Sequence, residues 1–193
     1  MDRYGPDPDA LNTYGFSTER LTIEVPDTGD VDQLYRLIGG DDRRAICSTL
    51  GWDGPDDRSD VEQWIQQCRT EPYEQWGFHW VARDRTGDLT GTAGKALGAI
   101  GTRPLGVPGR ADVGYWLGRQ YWRRGLMSEA LAGLIELGSA ELAYAKLEAV
   151  VFANNEAGRR LAEHVGFELE GVIRRAFRKY GDWVDQALYG LVL

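Results

Sequence analysis

One segment combines charged, flexible and helix-forming residues in an order that can bind an anion. Residues 111–118 alternate as in a strand, a loop with Arg123, Arg124 and Gly125 follows, and a helix pattern begins at once. The first amides of a helix lack partners inside it and lie at the positive end of its dipole, so they favour a phosphate. Gly125 lets the backbone approach a ligand closely, and the two guanidinium groups add positive charge. The segment predicts a pyrophosphate-binding loop.

The same residues have a simpler interpretation. Arg123 and Arg124 can form a solvated charged surface, and Gly125 can form an ordinary turn. The local pattern alone leaves both interpretations open. The chain contains neither GxxxxGK[ST] nor GxGxxG, which argues against a nucleoside triphosphate site and against a dinucleotide site.

Composition argues against several classes of protein. The length of 193 residues favours one globular domain. The net charge of −8 argues against a nucleic-acid or anionic-membrane partner. No apolar run approaches the ~20 residues of a membrane span. Two cysteines, Cys47 and Cys68, and two histidines form no metal-ligand pattern. We therefore expect no metal, no disulfide framework and a cytoplasmic location.

The elements that position the loop alternate between strands and helices. The patterns predict strands at Arg20–Val25, Phe78–Asp84, Leu89–Leu97, Ala111–Gly118, Lys146–Phe152, Phe167–Arg175 and Val184–Leu193. They predict helices at Asp30–Ile38, from Ser59 past Cys68, from the Arg-rich loop to about Leu142, and at Asn155–Val165, with capping pairs Asp30–Gln33 and Ser59–Glu62. Loops are predicted at 40–58 and 98–110. This order favours one mixed α/β sheet with helices on both faces.

Two further features concern the ends and the aromatic residues of the chain. Residues 1–16 are rich in Asp, Pro, Gly and Tyr and predict a loose N-terminal arm before a domain at 17–193. Seven Trp residues are interpreted as core and rim positions more readily than as an aromatic amine-binding cleft. His79, between Phe78 and Trp80 on a strand, is interpreted as a cleft-wall residue rather than a catalyst.

Five stretches in order resemble the GNAT superfamily of acyl-CoA N-acyltransferases. Within that superfamily, the chain is similar to the branch of the bacterial ribosomal-protein N-terminal acetyltransferases. The matching stretches are Glu19–Leu21, Ala111–Leu117, Tyr121–Ala130, Asn155–Ala157 with Gly166–Phe167, and Glu170–Arg174 with Gly181–Asp185. They run from residue 19 to the C-terminus, and five in order are a far stronger signal than any one alone.

The resemblance implies a fold and a cofactor, acetyl-CoA. It implies a mostly antiparallel sheet of about seven strands that splays between the fourth and fifth, with pantetheine pairing in the gap. The backbone that pairs with pantetheine would belong to Tyr115, Trp116 and Leu117. The pyrophosphate would contact Arg123, Arg124, Gly125, Leu126, Met127 and Ser128, and Asn155 would approach the pantetheine arm.

The resemblance also implies an acetyl transfer to a primary amine, either a peptide N-terminus or a small molecule. An acidic residue commonly stands at the position of Asp112, which we expect to act as general base or to orient the amine. Its alternative role is an ion pair with a neighbouring Arg. Glu148 on the fifth strand is a weaker second candidate. Residues 40–58, 98–110 and 176–184 would set the shape of the acceptor cleft.

The chain departs from its relatives where they place a general acid. A Ser or a Tyr is common on the helix after the fifth strand, where this chain has Gly158 and Ala162. Water or Tyr144 remain as proton donors, and a thiol with a pKa near 8.5 leaves tolerably without help. An alternative function is a catalytically weakened acyl-CoA-binding module with a sensing or structural role. A homodimer through the final strands or the N-terminal arm is a further hypothesis.

Overall fold

The computed structural model describes residues 14–71 and 73–193. The strands are β1 Phe16–Ser17, β2 Leu21–Glu24, β3 Phe78–Asp84, β4 Ala96–Pro104, β5 Arg110–Leu117, β6 Lys146–Phe152, β7 Glu168–Lys179 and β8 Asp182–Val192. The helices are α1 Val31–Ile38, α2 Arg43–Cys47, α3 Arg58–Thr70, α4 Tyr73–Trp76, α5 Leu126–Ala140 and α6 Glu156–His164. Within these residues the strands form one sheet in the order β1-β2-β3-β4-β5-β6-β8-β7.

Strands β5 and β6 run parallel, while the other neighbouring pairs are antiparallel. Pairing between β5 and β6 ends where Asp112 lies opposite Glu148. Both strands continue beyond that point, β5 to Leu117 and β6 to Phe152, without pairing with each other. These are the fourth and fifth strands of the sequence prediction. The predicted mixed sheet, splayed between them, is therefore confirmed.

Helices cover both faces of the sheet, as predicted. On one face, α5 buries Leu131 and Leu134 against a large core that includes Trp80. On the other face, α1 and α3 pack Leu34 and Ile65 against Val81. Because side chains of a strand alternate between faces, β5 contributes to both layers, and the composition of each of its faces decides where chemistry can occur.

One face of β5 carries Asp112, Gly114 and Trp116, and we call it the acceptor face. Trp116 packs there against the buried cluster of Ile38 from α1 with Ile46 and Cys47 from α2. The opposite face carries Val113, Tyr115 and Leu117 toward the core under α5. The acceptor face of β5 therefore ends in a wall formed by α2, and it leaves Gly114 exposed.

The second strand of the central hairpin is displaced from its predicted position. The patterns predict a strand at Leu89–Leu97 and a loop at 98–110; the strand is wrong before Ala96 and the loop is wrong before Leu105, because β4 runs from Ala96 to Pro104. The glycines at 98 and 101 are strand residues that allow close approach of neighbouring backbone. A β-carbon at Gly98 would lie 2.1 Å from the carbonyl oxygen of Trp116.

The connection before β4 is a closed turn organised by Asp84. Its carboxylate accepts hydrogen bonds from the backbone N–H groups of Gly87, Leu89 and Thr90 at 2.8 to 3.0 Å. These bonds satisfy the loop amides locally, so residues 85–95 need no partner strand. The apolar residues of this stretch resemble a strand pattern, but the carboxylate overrides it.

Helix boundaries differ from the predicted caps. The observed capping boxes are Asp27 with Asp30 and Asp57 with Asp60, so the predicted pairs Asp30–Gln33 and Ser59–Glu62 are wrong by two or three residues. Short aspartate side chains fill both positions of each box. Helices α2 and α4, of five and four residues, were not predicted because they span too few residues for a periodic pattern.

The described start of the chain lies against the domain. The ring of Tyr14 contacts Phe78 at 5.2 Å between centroids, and its carbonyl accepts a hydrogen bond from Trp80 Nε1 at 2.8 Å. Residues 1–13 of the predicted arm lie outside the described residues, and the division at residue 17 stays a prediction. Across 14–71 and 73–193, no helix is long and apolar enough to cross a membrane.

Candidate active site

The gap between β5 and β6 presents backbone groups of β5. Residues in an antiparallel ladder alternate between pairs that exchange hydrogen bonds and pairs that do not. The bond from Gly118 N–H to the Leu97 carbonyl, 2.8 Å, fixes the phase of this alternation between β4 and β5. Trp116 therefore bonds to β4 through its backbone, while the backbone groups of Tyr115 and Leu117 point toward β6.

One of these groups has a partner within the protein. The indole Nε1–H of Trp122 donates to the Leu117 carbonyl at 2.8 Å. The N–H and C=O of Tyr115 and the N–H of Leu117 remain directed into the gap, past the last pair with β6. An extended ligand can add to such an exposed strand edge by backbone hydrogen bonding. The backbone of Trp116, by contrast, bonds to β4, and its side chain packs among α1, α2 and α3.

The loop before α5 has the geometry of an anion site. Gly125 is the N-cap of α5 with a φ of 74°, and no side chain caps the helix. Arg123 also has a left-handed φ of 59°. The first amide to bond within the helix is that of Glu129, to the Gly125 carbonyl. The amides of residues 125–128 therefore lack helical partners, which is the arrangement that binds phosphate groups.

The side chains around this loop are either buried in the core or exposed beside the free amides. Leu126 and Met127 are buried in the core, so they offer a ligand only their amides. Arg123 and Arg124 are exposed, and neither forms an ion pair with any carboxylate of residues 14–71 and 73–193. Both guanidinium groups thus remain available beside the free amides.

An ion pair that the sequence interpretation missed holds the loop in place. Arg20 at the start of β2 donates through Nε to Glu129 of α5 at 2.7 Å, and through Nη1 to the carbonyl of Arg124 at 2.9 Å. Glu129 also accepts from the backbone N–H of Arg20 at 2.7 Å and from the hydroxyl of Thr18. Arg20 therefore fixes the position of the Arg124 carbonyl in the loop. The only sequence signal was its place in the first matching stretch.

Asn155 begins α6 on the far side of the gap. Its Oδ1 accepts a hydrogen bond from the N–H of Gly158 at 3.0 Å, which caps the helix. A β-carbon at position 158 would lie 2.5 Å from Asn155 Nδ2 and 3.0 Å from Val151. Glycine at 158 therefore lets the Asn155 amide take this position, with Nδ2 free of the cap.

Tyr144 does not replace the missing general acid. Its hydroxyl is hydrogen-bonded to Thr102 at 2.7 Å inside the core, and burial raises its pKa well above the usual range. Ala162 is buried in the same core. Neither residue offers a proton to a leaving group in the gap.

Asp112 is the carboxylate at the point where β5 and β6 diverge. Its side chain is 19% exposed on the acceptor face, and this burial raises its pKa to about 6, with a further contribution from the charge of Glu148. Arg103, at 3.3 Å, opposes the rise. The predicted ion pair thus exists, but Arg103 is 65% exposed and water screens it. A carboxylate that titrates near pH 6 suits general base catalysis.

Glu148 lies opposite Asp112 but is engaged elsewhere. It accepts a hydrogen bond from Arg110 Nε at 2.7 Å and a second from Nη2 of the same guanidinium, and Lys146 lies at 3.8 Å. These cations hold Glu148 as a paired carboxylate. Its contribution to the site is the negative charge that it places beside Asp112.

A contact between distant loops borders the acceptor face. Lys179 near the β7–β8 turn is buried, and its ammonium donates to the Trp52 carbonyl at 2.6 Å and to Asp53 at 2.7 Å. It ties the loop after α2 to the final hairpin. The sequence pattern singled out both regions as cleft borders but gave no sign of this contact.

Comparison with known proteins assigns the family. The profile of the family described as "Acetyltransferase (GNAT) domain" matches residues 20–168. The chain is 28% identical over 179 residues to "Uncharacterized N-acetyltransferase YoaA" of Bacillus subtilis (strain 168), a match that covers 91% of this chain and 94% of that protein.

Solved structures share the fold. The microcin C7 self immunity acetyltransferase MccE, in complex with acetyl-CoA and AMP, has a TM-score of 0.80 at 22% identity over 96% of this chain and 99% of that chain. The ribosomal L7/L12 alpha-N-protein acetyltransferase RimL, in complex with coenzyme A, has a TM-score of 0.78 at 17% identity, covering 93% and 98%. RimL belongs to the branch that the sequence resembles. From profile, relatives and fold together, the chain belongs to the GNAT acetyltransferase domain family and is an acetyl-CoA-dependent acyltransferase.

Proposed function

We propose that this enzyme transfers the acetyl group directly to a primary amine, with Asp112 as the general base. The observation that carries the proposal is the position of Asp112. It is a largely buried carboxylate with a pKa raised to about 6, and it lies at the last residue pair before β5 and β6 separate. It is thus next to the opening where the thioester would lie, and it is mostly ionised at pH 7.

The cofactor placement follows from the free backbone groups. Pantetheine pairs with Tyr115 and Leu117, whose backbone faces the gap, while the backbone of Trp116 between them bonds to β4. The pyrophosphate binds the amides of 125–128, with Arg123 and Arg124 beside them. Asn155 Nδ2 donates to the pantetheine arm from the other side. The free N–H of Tyr115 is the donor for the oxyanion.

The reaction then balances with the residues present. The nitrogen lone pair forms a bond to the thioester carbon, and the C=O electrons move to oxygen. Asp112 takes the proton that the nitrogen loses. Collapse of the tetrahedral intermediate breaks the C–S bond, and coenzyme A leaves as a thiolate. Because Gly158 and Ala162 supply no acid, water protonates the thiolate, whose conjugate thiol has a pKa near 8.5.

The acceptor is a peptide N-terminus or a small-molecule amine. RimL is named for an N-terminal protein acceptor, which supports the first class, and MccE is named for a self-immunity function rather than for a ribosomal protein. A peptide N-terminus with a pKa near 8 costs about 1.4 kcal/mol to deprotonate at pH 7, against about 4.6 kcal/mol for lysine. Asp112, with a pKa of about 6, is a weak base. It therefore suits the peptide N-terminus, which needs less free energy to lose its proton than lysine does.

Two further parts of the proposal concern location and assembly. The thiols of Cys47 and Cys68 are free and buried, which supports a cytoplasmic location. Strand β7 is an edge of the sheet, and Leu169, Val172 and Ile173 on it are about half exposed. Such an edge supports a homodimer through the final strands. Light scattering during gel filtration tests it, and a monomer at all concentrations would remove it.

The experiment that tests the function measures release of coenzyme A thiol with a panel of amines. The panel contains peptides with free and blocked N-termini, polyamines and aromatic amines, and mass spectrometry identifies the acetylated product. We expect turnover with free primary amines and none with blocked ones. Tight acetyl-CoA binding by calorimetry without turnover would favour the acyl-CoA-binding module, which the absence of a protein acid at Gly158 and Ala162 motivates.

A further inference from the structure

A second hydrogen-bond acceptor lies near Asp112 on the acceptor face. His79 of β3 is opposite Gly101 of β4, which is opposite Gly114 of β5. The imidazole folds over Gly101, so that a β-carbon there would lie 2.5 Å from Nδ1. At Gly114, the next position, a β-carbon would meet nothing within 4 Å. The ring therefore borders an open hollow whose floor is an exposed glycine.

The hydrogen bond of His79 determines its tautomer, and hence which ring nitrogen has a free lone pair. Nε2 lies 3.0 Å from the carbonyl oxygen of Trp76. A carbonyl can only accept, so Nε2 carries the hydrogen and Nδ1 of the neutral ring is an acceptor. Burial lowers the pKa of His79, and the charge of Arg103 lowers it further, so the neutral form prevails at pH 7. The rings of Trp64 and Trp76 hold the imidazole at 6.3 and 5.4 Å between centroids.

Strand geometry relates this nitrogen to Asp112. Gly101 and Gly114 form a hydrogen-bonded pair with α-carbons about 5.5 Å apart, and Asp112 is two residues, about 7 Å, along β5. The Arg103 guanidinium of β4 contacts the Asp112 carboxylate beside the same hollow. The Asp112 oxygens and His79 Nδ1 thus border one hollow, which an amine nitrogen can bridge with the help of one water.

We propose that His79 is an acceptor-binding residue that takes one N–H of the amine while Asp112 takes the other. A neutral primary amine has two N–H groups and one lone pair. With both hydrogens held, the lone pair is directed at the thioester carbon in the gap. A secondary amine has one N–H and cannot satisfy both acceptors. His79 therefore makes the enzyme selective for primary amines. This inference rests on the proposed amine acetylation.

Two substitutions separate this role from a structural one. His79→Gln retains an N–H that can reach the Trp76 carbonyl but loses the acceptor at Nδ1. His79→Asn places an amide oxygen near Nδ1 but loses the bond to Trp76. The probes are tyramine with N-methyltyramine, and a glycine-initiated with a sarcosine-initiated tripeptide. The measurements are kcat/KM for each amine, KM for acetyl-CoA, and the melting temperature.

We expect His79→Gln to lower the preference for the primary amine roughly ten- to hundredfold, the effect of one hydrogen bond in such a site, with KM for acetyl-CoA unchanged. His79→Asn keeps the preference within a few-fold, although it melts at a lower temperature. The reverse order, or an unchanged preference in His79→Gln, would overturn the role of His79 while leaving the acetylation intact. A wild-type enzyme inactive on these four probes and on every amine of the wider panel would overturn both proposals.

Discussion

Replacing Asp112 by Asn removes the charge at the centre of the proposed reaction and leaves the shape of the side chain unchanged. A general base contributes about 10²- to 10⁴-fold to a rate. We expect kcat/KM for the amine to fall by that factor in Asp112→Asn. The KM for acetyl-CoA stays within a few-fold, because the proposed cofactor contacts are backbone groups of β5 and α5, which the substitution does not change.

The pH dependence of the same variant carries the sharper test. The wild-type kcat/KM requires a free amine and an ionised Asp112, whose pKa is about 6. With a peptide acceptor of pKa near 8, the logarithm of kcat/KM therefore rises with pH below 8 and becomes steeper below 6. In Asp112→Asn the steeper limb below pH 6 disappears, and only the dependence on the amine remains. A steep limb of equal midpoint in both proteins would refute the assignment.

Asp112 also links activity to stability. Its pKa is about 3.9 in an unfolded chain and about 6 in the folded one. The folded protein therefore binds a proton more tightly, and wild-type stability falls as pH rises from 4 to 6. The full cost, up to about 3 kcal/mol, persists above pH 6. Asp112→Asn lacks this cost.

Urea unfolding at two pH values measures that cost. We expect Asp112→Asn to equal the wild type at pH 4 and to exceed it by up to about 3 kcal/mol at pH 8. The loss of the exposed Arg103 contact subtracts little from this gain. An Asp112→Asn protein that is less stable than the wild type at pH 8 would show that the carboxylate is a structural ion-pair partner, which is the alternative that the sequence left open.

Four other substitutions test separate parts of the account. Glu148→Gln removes a charge that raises the pKa of Asp112, so the steep limb moves to lower pH while kcat changes less than in Asp112→Asn. Arg20→Ala frees the loop carbonyl that it holds, and KM for acetyl-CoA rises about tenfold, the effect of one charged hydrogen bond. Gly158→Ser displaces the Asn155 cap, which lowers the unfolding free energy by about 1 kcal/mol and does not raise kcat. Asp30→Ala leaves the buried Arg83 guanidinium without its main partner, at a cost of about 3 kcal/mol in urea unfolding.

Each of these has its own contradicting result. If the midpoint of the steep part of the pH profile stays unchanged or moves to higher pH in Glu148→Gln, the charge of Glu148 does not influence Asp112. An unchanged KM for acetyl-CoA in Arg20→Ala would show that the loop needs no anchor. A faster Gly158→Ser enzyme would mean that a serine acid fits after all. If Asp30→Ala is as stable as the wild type, the Asp30–Arg83 ion pair does not stabilise the fold.

The splayed sheet was predictable because its signals are local or ordered along the chain. The alternation of residues 111–118, the glycine at 125 and the helix that follows describe a strand, a turn and a helix without reference to any distant residue. The order of the matching stretches then supplied the topology. The resemblance predicted an acidic residue at Asp112 on the fourth strand, and only the structure shows that it lies at the last pair before β5 and β6 diverge.

The errors arose where a distant group overrides a local pattern. Gly98 and Gly101 were predicted to lie in a loop. They are small because carbonyl groups of other strands approach them closely, which the local sequence does not reveal. Asp84 folds an apolar stretch into a turn through its own carboxylate. The Arg20–Glu129 pair joins residues more than one hundred positions apart, and no pattern within either segment indicates it.

The most direct test of the central claim is a crystal structure with a bisubstrate analogue. In this analogue the two carbons of an acetyl group link the sulfur of coenzyme A to the nitrogen of an amine. We expect the pyrophosphate on the amides of 125–128, pantetheine paired with Tyr115, and the amine nitrogen within hydrogen-bonding distance of Asp112, directly or through one water. A pyrophosphate bound elsewhere, or a nitrogen on the opposite face of β5 from Asp112, would contradict the account.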